Sequence, residues 1–160
     1  MAVVLRKLLR IGKLPEELRA ELEREGILHV AEYVPVTRRF SGRIPGLRSP
    51  GTVAGYVGSV VITRERVLTT LSTVPVLAGR TMDQRFDAEQ TGAVTATVSP
   101  GGILLEADLA AVDERFTGQL SLHYKDPVPE SVLAQLPRRT LAFDVSPEYV
   151  FRAVGIPYHP

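Results

Sequence analysis

The chain has 160 residues, a formal net charge of +1 and no cysteine. This length suits one domain that buries its own core, and the missing thiols exclude disulfide scaffolds, cysteine–zinc sites and cysteine nucleophiles. A charge balance so near zero argues against the broad basic surface of a nucleic-acid binder, so no nucleic-acid partner is expected.

The positive excess is confined to residues 1–50, and the remainder is slightly acidic. Sixteen of the nineteen basic residues are arginine, and Ala, Val, Gly, Leu and Pro abound, a composition seen in GC-rich bacterial genomes. Residues 1–15, MAVVLRKLLRIGKLP, interleave apolar residues with Arg6, Lys7, Arg10 and Lys13. Their longest apolar run is too short for a signal-peptide core or a membrane span. They read as a segment docked on the domain, the other reading being a short amphipathic helix on a membrane surface. A cytoplasmic protein, peripheral to a membrane in the second reading, is expected.

A helix starts at Leu14-Pro15-Glu16-Glu17, with proline and acids suited to its first turn and Leu14, Leu18 and Leu22 on one face; Gly26 ends it. Ile27 to Thr37 is β-branched and apolar enough for a strand. Residues 38–51, RRFSGRIPGLRSPG, read as a long basic loop punctuated by Gly and Pro. Val53 to Ser72 is a hairpin: two apolar strands flank the polar turn Thr63-Arg64-Glu65-Arg66, in which both arginines read as turn solvation. A weaker strand covers 76–86. Alternation then gives a sharp hairpin, 93–99 with 102–109, and another strand at 116–124. Val128, Val132, Leu133 and Leu136 form the stripe of a helix over 128–136, stopped by Pro137. Thr140 to Phe143 is a short apolar run, and Ser146, Pro147 and Gly155 frame a last helix.

Seven strands followed by a helix, with Thr63 to Arg66 between the second and third strands, resemble the bacterial pleckstrin-homology-like and GRAM-like domains. The resemblance implies a mainly β fold: a seven-stranded barrel of two orthogonal antiparallel sheets closed by a C-terminal helix. It divides the chain into an N-terminal helical extension (1–26), a barrel domain (27–137) and a C-terminal strand and helix extension (138–160). The closing helix departs from the family pattern, because the chain has no tryptophan. The family's phosphoinositide binders draw cations from the first strand, the loop after it and the second strand. By that resemblance Arg38, Arg39, Arg43 and Arg48 are the candidate site for phosphate or anionic lipid, since arginine's planar fork matches phosphate oxygens. Against a complete pocket, the strand 53–63 carries no cation.

No other constellation stands out. His29, His123 and His159 lie far apart without a prepared carboxylate, so no metal and no cofactor are expected. Tyr56-Val57-Gly58-Ser59-Val60 sits in a strand and is no nucleophile elbow. Glu106 and Asp108 share a strand face that reads as solvated. The expectation is therefore a non-enzymatic binding or interaction module. Its partner is a protein or an anionic membrane surface; the C-terminal helix, with apolar Tyr149, Val150, Phe151 and Val154, is expected to pack on the chain's own barrel, self-association through it being the other reading. A small barrel holding an apolar ligand, or an enzyme without a motif, are the other readings.

Overall fold

The computed structural model describes residues 16–72 and 79–156. Residues 1–13, His159 and the first part of the strand read at 76–86 lie outside them. The described chain is mainly β. Its elements are α1 (Glu16–Glu25), β1 (Ile27–Ile44), β2 (Leu47–Thr63), β3 (Arg66–Ser72), β4 (Gly79–Arg85), β5 (Val94–Ser99), β6 (Gly102–Asp108), α2 (Leu109–Val112), β7 (Thr117–Lys125), α3 (Glu130–Leu133), β8 (Thr140–Phe143) and α4 (Pro147–Val154). The eight strands form one antiparallel sheet in the order β4-β3-β2-β1-β7-β6-β5-β8, curled into a nearly closed barrel.

Three readings change. The expected basic loop at 38–51 is instead the continuation of the first two strands, closed by a tight turn at Pro45-Gly46. Glycine and proline sit where a ladder tolerates them. Gly42 marks a register shift, Pro50 and Gly51 lie within that shift on β2, and the Ser49 hydroxyl donates to the Phe40 carbonyl (3.0 Å) while accepting from the Gly51 amide (3.1 Å). The barrel has eight strands rather than seven, because Thr140–Phe143 pairs with β5 through Val94↔Phe143 and Ala96↔Leu141. The helix read at 128–136 shrinks to the single turn α3, although Val128, Val132 and Leu133 are still buried. Prolines at 127, 129 and 137 leave only a short stretch able to donate helical hydrogen bonds.

Alternation places the core. Val34, Val36, Phe40, Ile44, Val60, Ile62, Val67, Leu105, Leu120, Leu122 and Tyr124 face inward, and α4 adds Val150, Phe151, Ala153 and Val154 to the same cluster. The rings of Phe151 and Phe116 meet edge to face at 5.8 Å. Gly155, in the left-handed conformation, ends α4, and the Ile156 amide donates back to the Phe151 carbonyl. The apolar side chains of this helix are thus packed inside the chain's own barrel. On the outer face, Leu18 and Leu22 of α1 cover Val61 and Leu68 in a second, smaller cluster.

Polar groups enter the interior in matched sets. The Thr69 and Thr81 hydroxyls bond at 2.8 Å, Thr81 meets the Tyr124 hydroxyl, Tyr124 donates to the Thr70 carbonyl at 2.9 Å, and Tyr149 donates to the Thr81 carbonyl at 2.7 Å. Burial pushes the phenols of Tyr124 and Tyr149 well above the ordinary tyrosine range, because the phenolate would be desolvated. An unfolded tyrosine ionises near pH 10, whereas these two stay neutral in the fold. Their contribution to stability is therefore whole below about pH 10 and is lost as pH rises above it. Alkaline titration followed by circular dichroism should show stability level from pH 7 to 9 and falling beyond, with a shallower fall in Tyr149→Phe.

A tight strand contact joins the two halves of the sheet. Gly42 and Gly118 are register partners, and a Cβ on Gly42 would lie 2.0 Å from the Thr117 carbonyl oxygen, as one on Gly118 would from that of Ser41. Both have positive φ, so alanine is strained there as well as crowded. Gly42→Ala should lower unfolding free energy by about 2–4 kcal/mol in urea. Gly55→Ala, where nothing lies within 4 Å, should be neutral or slightly stabilising.

Candidate anion-binding site

The β1–β2 hairpin carries all four candidate arginines, and its register decides where each one points. Arg43 and Arg48 are direct cross-strand partners beside the turn, both exposed. Like charges placed directly opposite each other repel. Neither forms an ion pair among the described residues. Arg115, from the connection before β7, completes the rim of an open cleft of about 620 Å³ that is also lined by Ile44, Pro45, Gly46 and Leu47. Arg115 is itself held by Asp113, whose carboxylate it bonds at 3.0 Å. That contact holds the Asp113 carboxyl below its usual range.

Arg39 and Arg38 are elsewhere. Arg39 lies on the outer face and lines a second hollow of about 460 Å³ with Thr52, Val53, Glu106, Gln119 and Ser121. Arg38 shares the inward parity of Val36 and Phe40, is only 7 % exposed, and has its guanidinium 5.9 Å from the centre of the Tyr56 ring. Its Nε has no hydrogen-bond partner. The four residues therefore divide: Arg43 and Arg48 come together, and Arg38 and Arg39 are on opposite faces of one strand.

Arg66 is the residue that departs furthest from its expected role as turn solvation. Its side chain is 11 % exposed and joins α1 to the sheet through Glu25 (2.7 Å), Glu21 (3.1 Å) and Asp83 (3.0 Å). The Thr63 hydroxyl donates to Glu25 as well, at 3.0 Å. Against desolvation, the hydrogen bonds that Arg66 donates to Glu25 and Asp83 raise the guanidinium's pKa, so it is a fixed structural cation. Arg64, by contrast, is exposed.

The remaining candidates resolve simply. Ser59 is fully buried and bonds Thr70, which leaves its hydroxyl unavailable as a nucleophile. Glu106 and Asp108 are exposed on the outer face. His29 meets Asp126 at 2.7 Å across 97 positions of sequence, a pairing that no local pattern announced. Among the described residues no cluster of three or more His, Asp or Glu side chains could hold a metal ion, and no helix is long and apolar enough to cross a membrane. Inside the barrel, the space between Val94, Leu105, Ala107, Leu120, Leu122 and Tyr149 amounts to about 10 Å³, hardly enough for one water molecule.

Repulsion between Arg43 and Arg48 predicts that Arg43→Thr stabilises the protein by about 0.5 kcal/mol at low ionic strength. Urea unfolding repeated in about 1 M salt should erase that gain, because the Debye length there is about 3 Å. No protein-family model, no curated protein and no solved structure matches the chain.

Proposed function

We propose that the chain is a non-enzymatic binding module on a pleckstrin-homology-like barrel, and that its hairpin tip binds a phosphate-bearing group of an anionic membrane surface. The observation that carries this reading is the cross-strand pair Arg43↔Arg48 facing Arg115 around one open cleft. Two guanidinium groups held opposite each other without a counterion gain most from an anion that bridges them. Their forks offer paired donors to phosphate oxygens, and the cleft's exposure suits a headgroup presented by a surface. Arg115, already neutralised by Asp113, contributes the third donor without adding much net charge.

The architectural part rests on how β1 is shared. Its first residues pair only with β2, whereas Val36 to Arg43 also pairs with β7, and register shifts interrupt it at three places. Bulged strands that pass from one sheet to the other are how orthogonal antiparallel sheets turn their corners. A helix packed into the barrel then supplies closure. That element is α4 in this chain, with Phe151 and Val150 fully buried.

Co-sedimentation with vesicles tests the function. Vesicles containing a phosphoinositide or phosphatidylserine should pellet the wild-type chain, and neutral phosphatidylcholine vesicles should not. Arg43→Ala with Arg48→Ala should reduce pelleting about tenfold or more, as expected when charge-assisted hydrogen bonds to phosphate are lost. Equal pelleting of the double variant, or none by either protein, would end the proposal.

A further inference from the structure

The sheet ends on β4 and β8, and among the described residues neither pairs with a further strand. A terminal strand presents backbone amides and carbonyls on which another chain can build, and folds blunt it with charge, proline, a bulge or a cover. β8 reads Thr140-Leu141-Ala142-Phe143, holds no charge and no proline, and pairs with β5 without a register shift. Its own protection is its length of only four residues.

A cover comes instead from the connection between β4 and β5. Gln90 accepts from the Ala142 amide at 2.9 Å through Oε1 and donates from Nε2 to the Ala88 carbonyl at 2.6 Å, so its amide is fixed from both ends. Along an antiparallel strand, successive residues turn their backbone groups to opposite sides. The Arg139 carbonyl accepts from the Val98 amide on β5. By alternation Leu141 and Phe143 also face β5, and Ala142 faces the free edge. Gln90 therefore stands where the carbonyl of a neighbouring strand would stand. The chain beyond it is pressed against the same strand: a Cβ on Gly92 would lie 2.1 Å from the Phe143 carbonyl carbon, and the Ala93 amide donates to the Asp144 carboxylate at 3.0 Å.

We propose that Gln90 is an edge guard that keeps β8 from pairing with β8 of a second copy of this chain, and that release of the strap from Ala88 to Ala93 permits such a dimer. Charge selects this occupant. β8 is flanked by Arg138 and Arg139 before it and by Asp144 after it, all exposed. Antiparallel pairing about a two-fold axis at Leu141 sets Thr140 of one copy opposite Ala142 of the other, and Arg138 opposite Asp144. Opposite charges so placed attract, and symmetry makes the contact twice. A dimer joined by so short a strand is weak, so one capped amide in each copy is enough to decide the balance. The inference is independent of the phosphate reading, which concerns the β1–β2 hairpin.

Sedimentation velocity over a range of concentrations, on the full chain, tests it. Gln90→Ala should raise the self-association constant about tenfold or more over the wild type, the scale of one edge amide freed in each copy. Gln90→Glu keeps an acceptor for Ala142 and should associate no more than the wild type. Adding Arg138→Glu to Gln90→Ala places like charges opposite each other and should remove the gain. Adding Ala142→Pro instead deletes the edge donor and should remove it too, proline being tolerated where a strand's N–H faces outward. Hydrogen exchange should find the Ala142 amide protected in the wild type and about tenfold faster or more in dilute Gln90→Ala. No gain in self-association by Gln90→Ala, or a gain that survives Arg138→Glu or Ala142→Pro, would overturn the proposal. So would unfolding of both Gln90→Ala and Gln90→Ser, since Gln90 would then support the fold rather than guard its edge.

Discussion

The long strand β1 is the constraint on which the remaining structure depends. It is hydrogen-bonded to β2 along nearly all its length and to β7 along its second half, so it joins β2, β3 and β4 to β7 and the strands beyond it. Backbone donors and acceptors cannot be left unpaired inside a barrel, and β1 satisfies its own on both sides where the core is thickest. The join with β7 is tight enough that Gly42 and Gly118 must face each other without side chains. Everything placed by β1 follows from that, including which arginines face water and which one faces the core.

Around this strand, polar groups have been sorted by whether a partner is in reach. Thr69, Thr81, Tyr124 and Tyr149 form a closed chain of hydrogen bonds within the apolar interior, which makes their burial tolerable. Arg66 is likewise completed by three carboxylates and anchors α1 to the sheet. Arg38 alone among these has an unpartnered buried nitrogen.

The hairpin separates its four arginines by register and parity. At its tip, Arg43 and Arg48 form an exposed like-charged pair beside an open cleft. Farther along β1, Arg38 is buried and Arg39 lies on the outer face. Pairing of β1 with β7 holds the hairpin in place along Val36 to Arg43.

The sequence alone determined much of the architecture. Alternation in 93–99, 102–109 and 116–124 placed three strands, and the Ser146, Pro147 and Gly155 frame placed α4, because turn chemistry and period are local properties. Even Arg38's inward direction was legible in principle, from its parity with Val34, Val36 and Phe40. What hid it was the density of Gly and Pro in 38–51, which reads as loop unless the bulges and turn that absorb those residues are known. Only the tertiary structure decided that β8 completes the sheet, that α4 rather than the turn at 130–133 fills the barrel with Phe151, and that His29 meets Asp126. It also set Arg43 against Arg48 and Arg38 beneath Ala54. Those facts depend on strand register and on contacts between residues far apart in the chain, which no local pattern encodes.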